Sequence, residues 1–323
     1  MEIFKYKKPI SLMAQSKKFG LVSIVVVLLS LGLILTKGFN LGIDFAGGTL
    51  IQLKYDKKAP IKNVREKISS LKEFEGSTVT FFGGDTELVI KTKNSSKSLG
   101  KDMGDKIRVL LKDTGNFEVR RVDMVGAKVG SELREKGLTS MLLAILGILI
   151  YVSIRFEWRF ALASVMALIH DVTISMGMIV LFQVEVNLDI LAALLTILGY
   201  SLNDTIIVFD RIREGVRKLK EPDLGLIIDE SVTRTLSRTT LTSLTTFFVV
   251  LTLFLFGGEI IHGFSFTLLV GVIVGTYSSI FVASPVLMWL GFSVKGFRAK
   301  EAQALKREKE KAKMRAMYEN GTM

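Results

Sequence analysis

Cysteine is absent from the 323 residues, and histidine occurs only twice, as His170 and His262. Disulfides and thiolate-bound metal are therefore excluded, and an imidazole-based metal centre has almost nothing to build on. No cofactor is expected. Charge, although 23% of the chain, is missing from long stretches of it. Phe19–Thr36, Gly137–Ile154, Thr239–Gly258 and Gly263–Val294 carry no Asp, Glu, Lys or Arg. Charges kept out of runs of 18 or more apolar residues exclude an ordinary water-soluble globule.

The chain is 49% hydrophobic, with mean hydropathy +0.41 and net charge +12. Two further runs, Phe160–Val184 and Leu188–Phe209, complete a set of six candidate spans of about 30 Å of hydrocarbon. The first holds Asp171, and the second holds Asp189 and Asp204. The basic residues flank these runs, so anionic headgroups rather than nucleic acid are the expected partner of the positive charge. Lysines precede the first run, as in a signal peptide, but Thr36-Lys37-Gly38-Phe39 offers no small-residue cleavage pattern, which favours a retained anchor.

Orientation follows from Lys and Arg in the short flanks. Lys5, Lys7, Lys8, Lys17 and Lys18 precede span 1, and Arg155 and Arg159 bracket the 2–3 connection. Six basic residues lie between Arg211 and Arg234 in the 4–5 connection, and more follow Val294, whereas the 3–4 and 5–6 turns have none. The expected layout is a cytoplasmic N-terminus (1–18), span 1 (19–37), an extracytoplasmic domain (38–136), five further spans (137–294) and a basic cytoplasmic tail (295–323). The tail's Lys/Glu/Ala-rich stretch reads as a solvated helix or a disordered segment, with contact to anionic lipid as the other reading.

The external segment alternates at Ile51, Leu53 and Tyr55 as a strand does. Pro60 opens a helix with Ile61, Val64, Ile68 and Leu71 on its apolar face. Thr78–Phe82 and Glu87–Lys91 flank Gly83-Gly84-Asp85, a hairpin signal. Leu99, Met103, Ile107 and Leu110 mark a second helix, and Phe117–Val125 a last strand whose alternation slips near Arg120-Arg121, as at a bulge. The order β-α-β-β-α-β predicts a ferredoxin-like α+β domain. It holds no cluster of catalytic residue types, so docking is its expected purpose.

An ionisable residue inside a span costs about 2.5–3.5 kcal/mol on insertion scales and needs a partner, a wet cavity or a proton. Asp189 sits at the edge of its span. Asp171 lies roughly 18 Å in from Arg159, and Asp204 roughly 9 Å in from Asp210, at helical rise. Tyr200, Asn203 and Asp204 share a helix face. Thr235, Thr239, Thr242 and Thr246 form a hydroxyl stripe on span 5, with Arg238 at its entrance. Asp204 and Arg238 are placed to meet, either as a static ion pair or as a protonatable carboxylate gated by an arginine. His170-Asp171 is either a hydrogen-bonded pair that orients span 3 or a member of a proton relay. Gly271, Gly275, Ser279 and Ala283 recur every four residues on span 6 and predict close helix packing, and Pro285 is placed to kink that span.

Several strings together resemble the SecF family, the smaller of two paired accessory subunits of the Sec translocation machinery. They are Gly42-Ile-Asp-Phe-Ala-Gly-Gly-Thr49, His170-Asp171-Val172, Gly199-Tyr-Ser-Leu-Asn-Asp-Thr205, Val208-Phe-Asp-Arg-Ile-Arg-Glu214, Arg234-Thr-Leu-Ser-Arg-Thr-Thr-Leu-Thr-Ser243, Phe256-Gly-Gly258 and Gly271-Val-Ile-Val-Gly-Thr-Tyr-Ser-Ser279. One departure is Gly215, where the family usually has asparagine. The resemblance implies an α-helical polytopic fold, one RND-like half of a pair whose other half is SecD. It implies a non-enzymatic role: using a proton gradient, or sodium in some relatives, to help a polypeptide leave the Sec channel across the cytoplasmic membrane. Asp204 matches the family's intramembrane carboxylate, Arg238 its arginine, Thr242 a nearby threonine, and Asn203 the residue beside the carboxylate. Competing readings are an RND-like small-solute efflux transporter, an intramembrane aspartyl protease using Asp171 and Asp204, and a purely structural scaffold.

Overall fold

The computed structural model describes residues 9–71, 74–92 and 103–319. In chain order it comprises α1 (Ser16–Lys37), α2 (Ile43–Ala46), β1 (Gly48–Tyr55), α3 (Ile61–Ser69), β2 (Thr78–Phe81), β3 (Glu87–Thr92), α4 (Met103–Leu110) and β4 (Phe117–Val125). There follow α5 (Ala127–Arg155), α6 (Trp158–Leu181), α7 (Leu188–Lys218), α8 (Leu224–Phe256), α9 (Glu259–Ser278), α10 (Ser284–Trp289) and α11 (Val294–Glu319). Leu99 of the second predicted helix, and Lys5, Lys7 and Lys8, lie outside the described residues.

Among the described residues six helical stretches are long and apolar enough to cross a membrane: Met13–Lys37, α5, α6, α7, α8 and Glu259–Trp289. All six expected spans are present, with different ends. α5 begins at Ala127, so the expected boundary at 136/137 falls inside a continuous helix. α8 begins at Leu224, well before Thr239, because Asp223 caps it through Gly225 N at 2.8 Å. The last span stops at Trp289 instead of Val294, where Gly291 turns the chain at φ +67°.

The packing pattern is that of a protein solvated by hydrocarbon. α1 exposes Leu21, Val22, Leu28 and Leu29, while its buried residues are Ser16, Gly20, Ser23 and Ser30. Large apolar side chains are equally content in lipid, so the contact surface goes to small residues that let backbones approach. Ser30 seats against Gly177 of α6, where an added Cβ would stand 2.4 Å from the serine Cβ. α6 is buried along most of its length, and α7 and α9 pack on it and on each other. An added Cβ at Gly271 would fall 2.2 Å from Ile197 Cγ1, and one at Gly275 3.0 Å from Ser201 Cβ, so both glycines set the α7–α9 approach. The four-residue stripe is interrupted beyond Gly275. A π turn over Ser279–Ala283 precedes Pro285, whose missing N–H removes one helical hydrogen bond. Gly215 has a similar role at the other end of α7, since a Cβ there would meet Ser231 Oγ at 2.9 Å and Ile227 Cγ2 at 3.0 Å on α8.

Between α1 and α5 lies a four-stranded antiparallel sheet of order β2-β3-β1-β4. With α3 and α4 on one face this is the predicted split β-α-β arrangement. Ile51, Leu53, Leu88, Ile90, Val64, Ile68, Met103 and Ile107 form its core, all at most 1% exposed. The bulge is at Arg120, since Gln52 pairs with Arg121 and Leu53 with Val119. Leu71 is not on the buried helix face: α3 ends at Ser69, and Leu71 is 37% exposed.

Backbone pairing ties the segment ahead of the sheet to the α6–α7 connection. Leu41 and Val186 form a parallel bridge, in which Gly42 N donates to Val186 O at 2.8 Å and Val186 N donates to Asn40 O at 2.8 Å. Asn40 Nδ2 donates to Gln183 O at 3.1 Å, Leu188 N donates to Asp44 Oδ2 at 3.0 Å, and Lys91 pairs with Glu185. Gly47 and Gly48 follow at φ +76° and +138°. A Cβ on Gly47 would meet Ala127 Cα at 2.8 Å, and one on Gly48 would meet Thr92 O at 2.4 Å. Only glycine fits this turn.

Candidate functional site

Among the described residues three carboxylates are buried in the bundle: Asp229 near the start of α8, where it accepts from Leu12 N and Met13 N, and Asp171 and Asp204, each at a junction of three helices. Asp171 on α6 has no exposed surface. Its Oδ2 accepts from Ser201 Oγ of α7 at 2.5 Å and from Ser278 Oγ of α9 at 2.7 Å, and its Oδ1 lies 2.9 Å from His170 Nδ1. His170 stacks on Tyr277, with ring centroids 6.1 Å apart, and its Nε2 is buried without a partner among the described residues. Asp171 is thus saturated with donors, the condition under which a buried carboxylate is tolerated in an apolar medium.

Asp204 is 2% exposed and is held differently. Among the described residues one hydrogen bond reaches it: Ser243 Oγ of α8 donates to Oδ2 at 3.3 Å. Thr276 Oγ1 of α9 in turn donates to Ser243 Oγ at 2.8 Å. No ion pair joins Asp204 to a cation among the described residues. Arg238, one and a half turns before Ser243, is exposed; its charge acts on Asp204 through space without contact. Ser201 and Asp204 are neighbours on one face of α7, and Thr276 and Ser278 are two residues apart on α9. Asp171 and Asp204 therefore share supporting helices but have separate hydroxyl partners.

The predicted residues separate into two groups. Asp204, Asp171 and His170 are buried in the bundle, as expected of functional polar groups in a span. Asn203, Arg238 and Thr242 are exposed on the bundle's flank. Thr242 Oγ1 donates to the carbonyls of Arg238 and Thr239, so it serves its own helix and not Asp204. The hydroxyl stripe on α8 does not act as a unit: Thr235 and Thr239 are buried, Thr242 points outward, and the group that touches the carboxylate is Ser243. Asp189 is exposed on the first turn of α7, and His262 is exposed on α9, stacked on Phe254 at 4.4 Å. Ser201, Ser243, Thr276 and Ser278 do not stand out in the sequence. Each lies within one of the strings quoted above, but serine on a membrane helix carries no signal of its own until the facing helix is known.

With this geometry in view, residues 106–293 match the family model for the C-terminal region of the protein export membrane proteins SecD/SecF, and residues 32–59 match the SecD/SecF GG motif. The chain is 49% identical over 321 residues to the protein translocase subunit SecF of Helicobacter pylori strain J99, covering 99% of each. The chain belongs to the SecF family. SecF of Vibrio alginolyticus is 46% identical over 292 residues, covering 90% of this chain and 92% of that one. The crystal structure of SecDF, a translocon-associated membrane protein from Thermus thermophilus, superposes with TM-score 0.80 at 33% identity over 89% of this chain. A second SecDF structure, in a super-membrane-facing form, gives 0.66 at 32% identity over 94%. The chain spans about two fifths of the length of those two solved chains. As a SecF-family chain it is an integral membrane protein with an RND-like helical half. The GG motif of the family match contains Gly47 and Gly48, the pair that the turn against Ala127 and Thr92 requires.

Proposed function

We propose that this chain pairs with a SecD-like subunit and uses the proton gradient, or a sodium gradient, to promote movement of an unfolded polypeptide out of a SecYEG-type channel. In this reading it lies in the cytoplasmic membrane with both termini inside and the sheet domain outside, as the placement of Lys and Arg predicts. The observation that carries the reading is Asp204: a carboxyl buried in the bundle with, among the described residues, one hydroxyl donor and no cation in contact. Such a group is tolerated in hydrocarbon when a proton or a small cation accompanies it. Arg238, on the bundle flank and within electrostatic range, supplies the competing charge when α7 and α8 shift. Proton or sodium then binds in one arrangement of the helices and leaves in the other. Asn203 and Thr242 share this flank with Arg238 and would face the second half of the pair. His170 and Asp171, the latter already holding three polar partners, serve as accessory relay or as the fixed point of the α6–α7–α9 junction.

The energetic yardstick is about 2.3 kcal/mol per charge per 100 mV, enough to bias a two-state element roughly fiftyfold. Asp204→Asn preserves the acceptor for Ser243 and removes the exchangeable charge. In vesicles containing the channel and both subunits, it is expected to abolish gradient-dependent stimulation of export while leaving assembly intact. Full stimulation in that variant refutes the reading.

A further inference from the structure

Between the underside of the sheet and the ends of the helices runs an open cleft of about 620 Å³, within the range of ligand-binding pockets. Its roof is the sheet face not covered by α3 and α4, and includes Leu50, Thr80 and Val89, with Phe82 just past β2. Its floor includes Phe182, Ile260 and Phe264 from the ends of α6 and α9. Phe182 is 60% exposed and Ile260 63%, so large apolar side chains of the floor face the apolar residues of the roof across the cleft. The Lys91–Glu185 pair lines the cleft and holds roof to floor.

The cleft's charge is lopsided. Its two basic residues are already engaged, Lys91 with Glu185 and Arg121 with Asp123, the latter at 2.5 Å. Asp189 and Glu259 on the floor have no ion-pair partner among the described residues. An anionic lipid headgroup would meet two unpaired carboxylates and no free cation, and an acyl chain would leave them unsatisfied. A polypeptide segment offering an apolar or aromatic side chain next to a lysine or arginine meets both walls and both charges.

We infer that this cleft is a transient binding site for extended, apolar-and-basic segments of the polypeptide in transit; the inference rests on the export role proposed above. The ties at Asn40–Val186 and Lys91–Glu185 make roof and floor one clamp, so a shift of α6 and α7 changes the grip on the bound segment.

The test uses the full complex in cells exporting a preprotein arrested in mid-passage. A photo-crosslinking p-benzoylphenylalanine is placed at Phe82, at Phe264 or, as control, at Leu226 at the far end of the bundle. The expected result is adducts with the arrested preprotein from positions 82 and 264 and none from 226. Adduct yield should be higher when the stalled segment is lysine-rich than when it is glutamate-rich. Asp189→Asn with Glu259→Gln should lower that preference several-fold. Adducts only with lipid, with the partner subunit or within this chain overturn the inference, as does a yield indifferent to the segment's charge. If adducts are missing while Asp204→Asn still abolishes stimulation, the cleft assignment fails and the coupling reading stands. Adducts together with full stimulation in Asp204→Asn would keep the cleft assignment and overturn the coupling reading.

Discussion

Replacing Asp171 with alanine tests how polar junctions in this bundle contribute to its stability. The carboxylate holds three donors: Ser201 Oγ at 2.5 Å, Ser278 Oγ at 2.7 Å and His170 Nδ1 at 2.9 Å. Valued as buried donors in a soluble core, at about 1–3 kcal/mol for each group left unsatisfied, their loss would cost about 3–9 kcal/mol, a large fraction of the stability of most domains. The local geometry argues for much less. Ser278 Oγ already donates to Gly275 O at 3.1 Å, so it has a second acceptor in place. Ser201 lies on a helix where a hydroxyl can turn back to the carbonyl four residues earlier, as Thr205 does to Ser201 O at 3.1 Å. Interhelical hydrogen bonds in membranes average about 0.6 kcal/mol, because the separated helices also find partners. Three such bonds give roughly 2 kcal/mol for Asp171→Ala, and Asp171→Asn, which keeps one acceptor oxygen, should cost less than half of that. Reversible unfolding in mixed micelles, monitored by circular dichroism against denaturant fraction, measures both. A loss of about 5 kcal/mol or more would refute the reasoning, showing that the serines have no alternative acceptors. A loss indistinguishable from zero would refute the claim that Asp171 joins α6, α7 and α9 at all.

Other outcomes follow from the same geometry. Gly48→Ala forces a Cβ to within 2.4 Å of Thr92 O at φ +138°, and should destabilise the sheet domain by about 1–3 kcal/mol, seen as faster amide exchange in β1 and β3. Asp229→Ala removes the acceptor for Leu12 N at 2.9 Å and Met13 N at 2.8 Å. It should cost about 1 kcal/mol and raise protease cleavage ahead of α1, whereas unchanged cleavage would deny Asp229 that capping role. Burial pushes the Tyr55 phenol above its usual value of 10, against a lesser opposing effect of its 2.8 Å hydrogen bond with Thr114. The proton is held more tightly folded than unfolded, so this contribution to stability is complete below pH 10 and is lost as pH rises through the folded value. Tyr55→Phe should flatten that alkaline decline, and an unchanged decline would contradict the assignment.

The architecture was largely legible from residues because hydrocarbon imposes a simple rule: charge-free runs cross, and the basic flanks count the turns. The sheet domain was legible because Ile51, Leu53 and Tyr55 alternate cleanly and the hairpin glycines punctuate the strands. Helix ends were less so. α5 and α8 continue for several turns of mixed composition, where polar residues such as Glu132 and Glu230 look the same in a loop as on a solvated helix face. Within the bundle, the carboxylates stood out by their insertion cost, but their partners did not. Ser243 differs from Thr242 only in pointing the other way, and which one faces α7 depends on the rotation of α8, a property of the whole packing. Arg238 and Asp204 were expected to meet on grounds of depth alone. Depth does not fix azimuth, and the arginine is turned to the flank.

The parallel bridge between Leu41 and Val186 has a mechanical corollary. α1 is seated on α6 about one turn before the end of α6, where Ser30 enters the space at Gly177, and again beyond the helix end through the backbone of residues 40–42. A rod pinned at two heights to its neighbour has neither a sliding nor a swivelling mode of its own. A tilt of α6 and α7 would carry α1 and the start of β1 with it, and the sheet would then swing like an oar whose oarlock is the segment from Asn40 to Asp44.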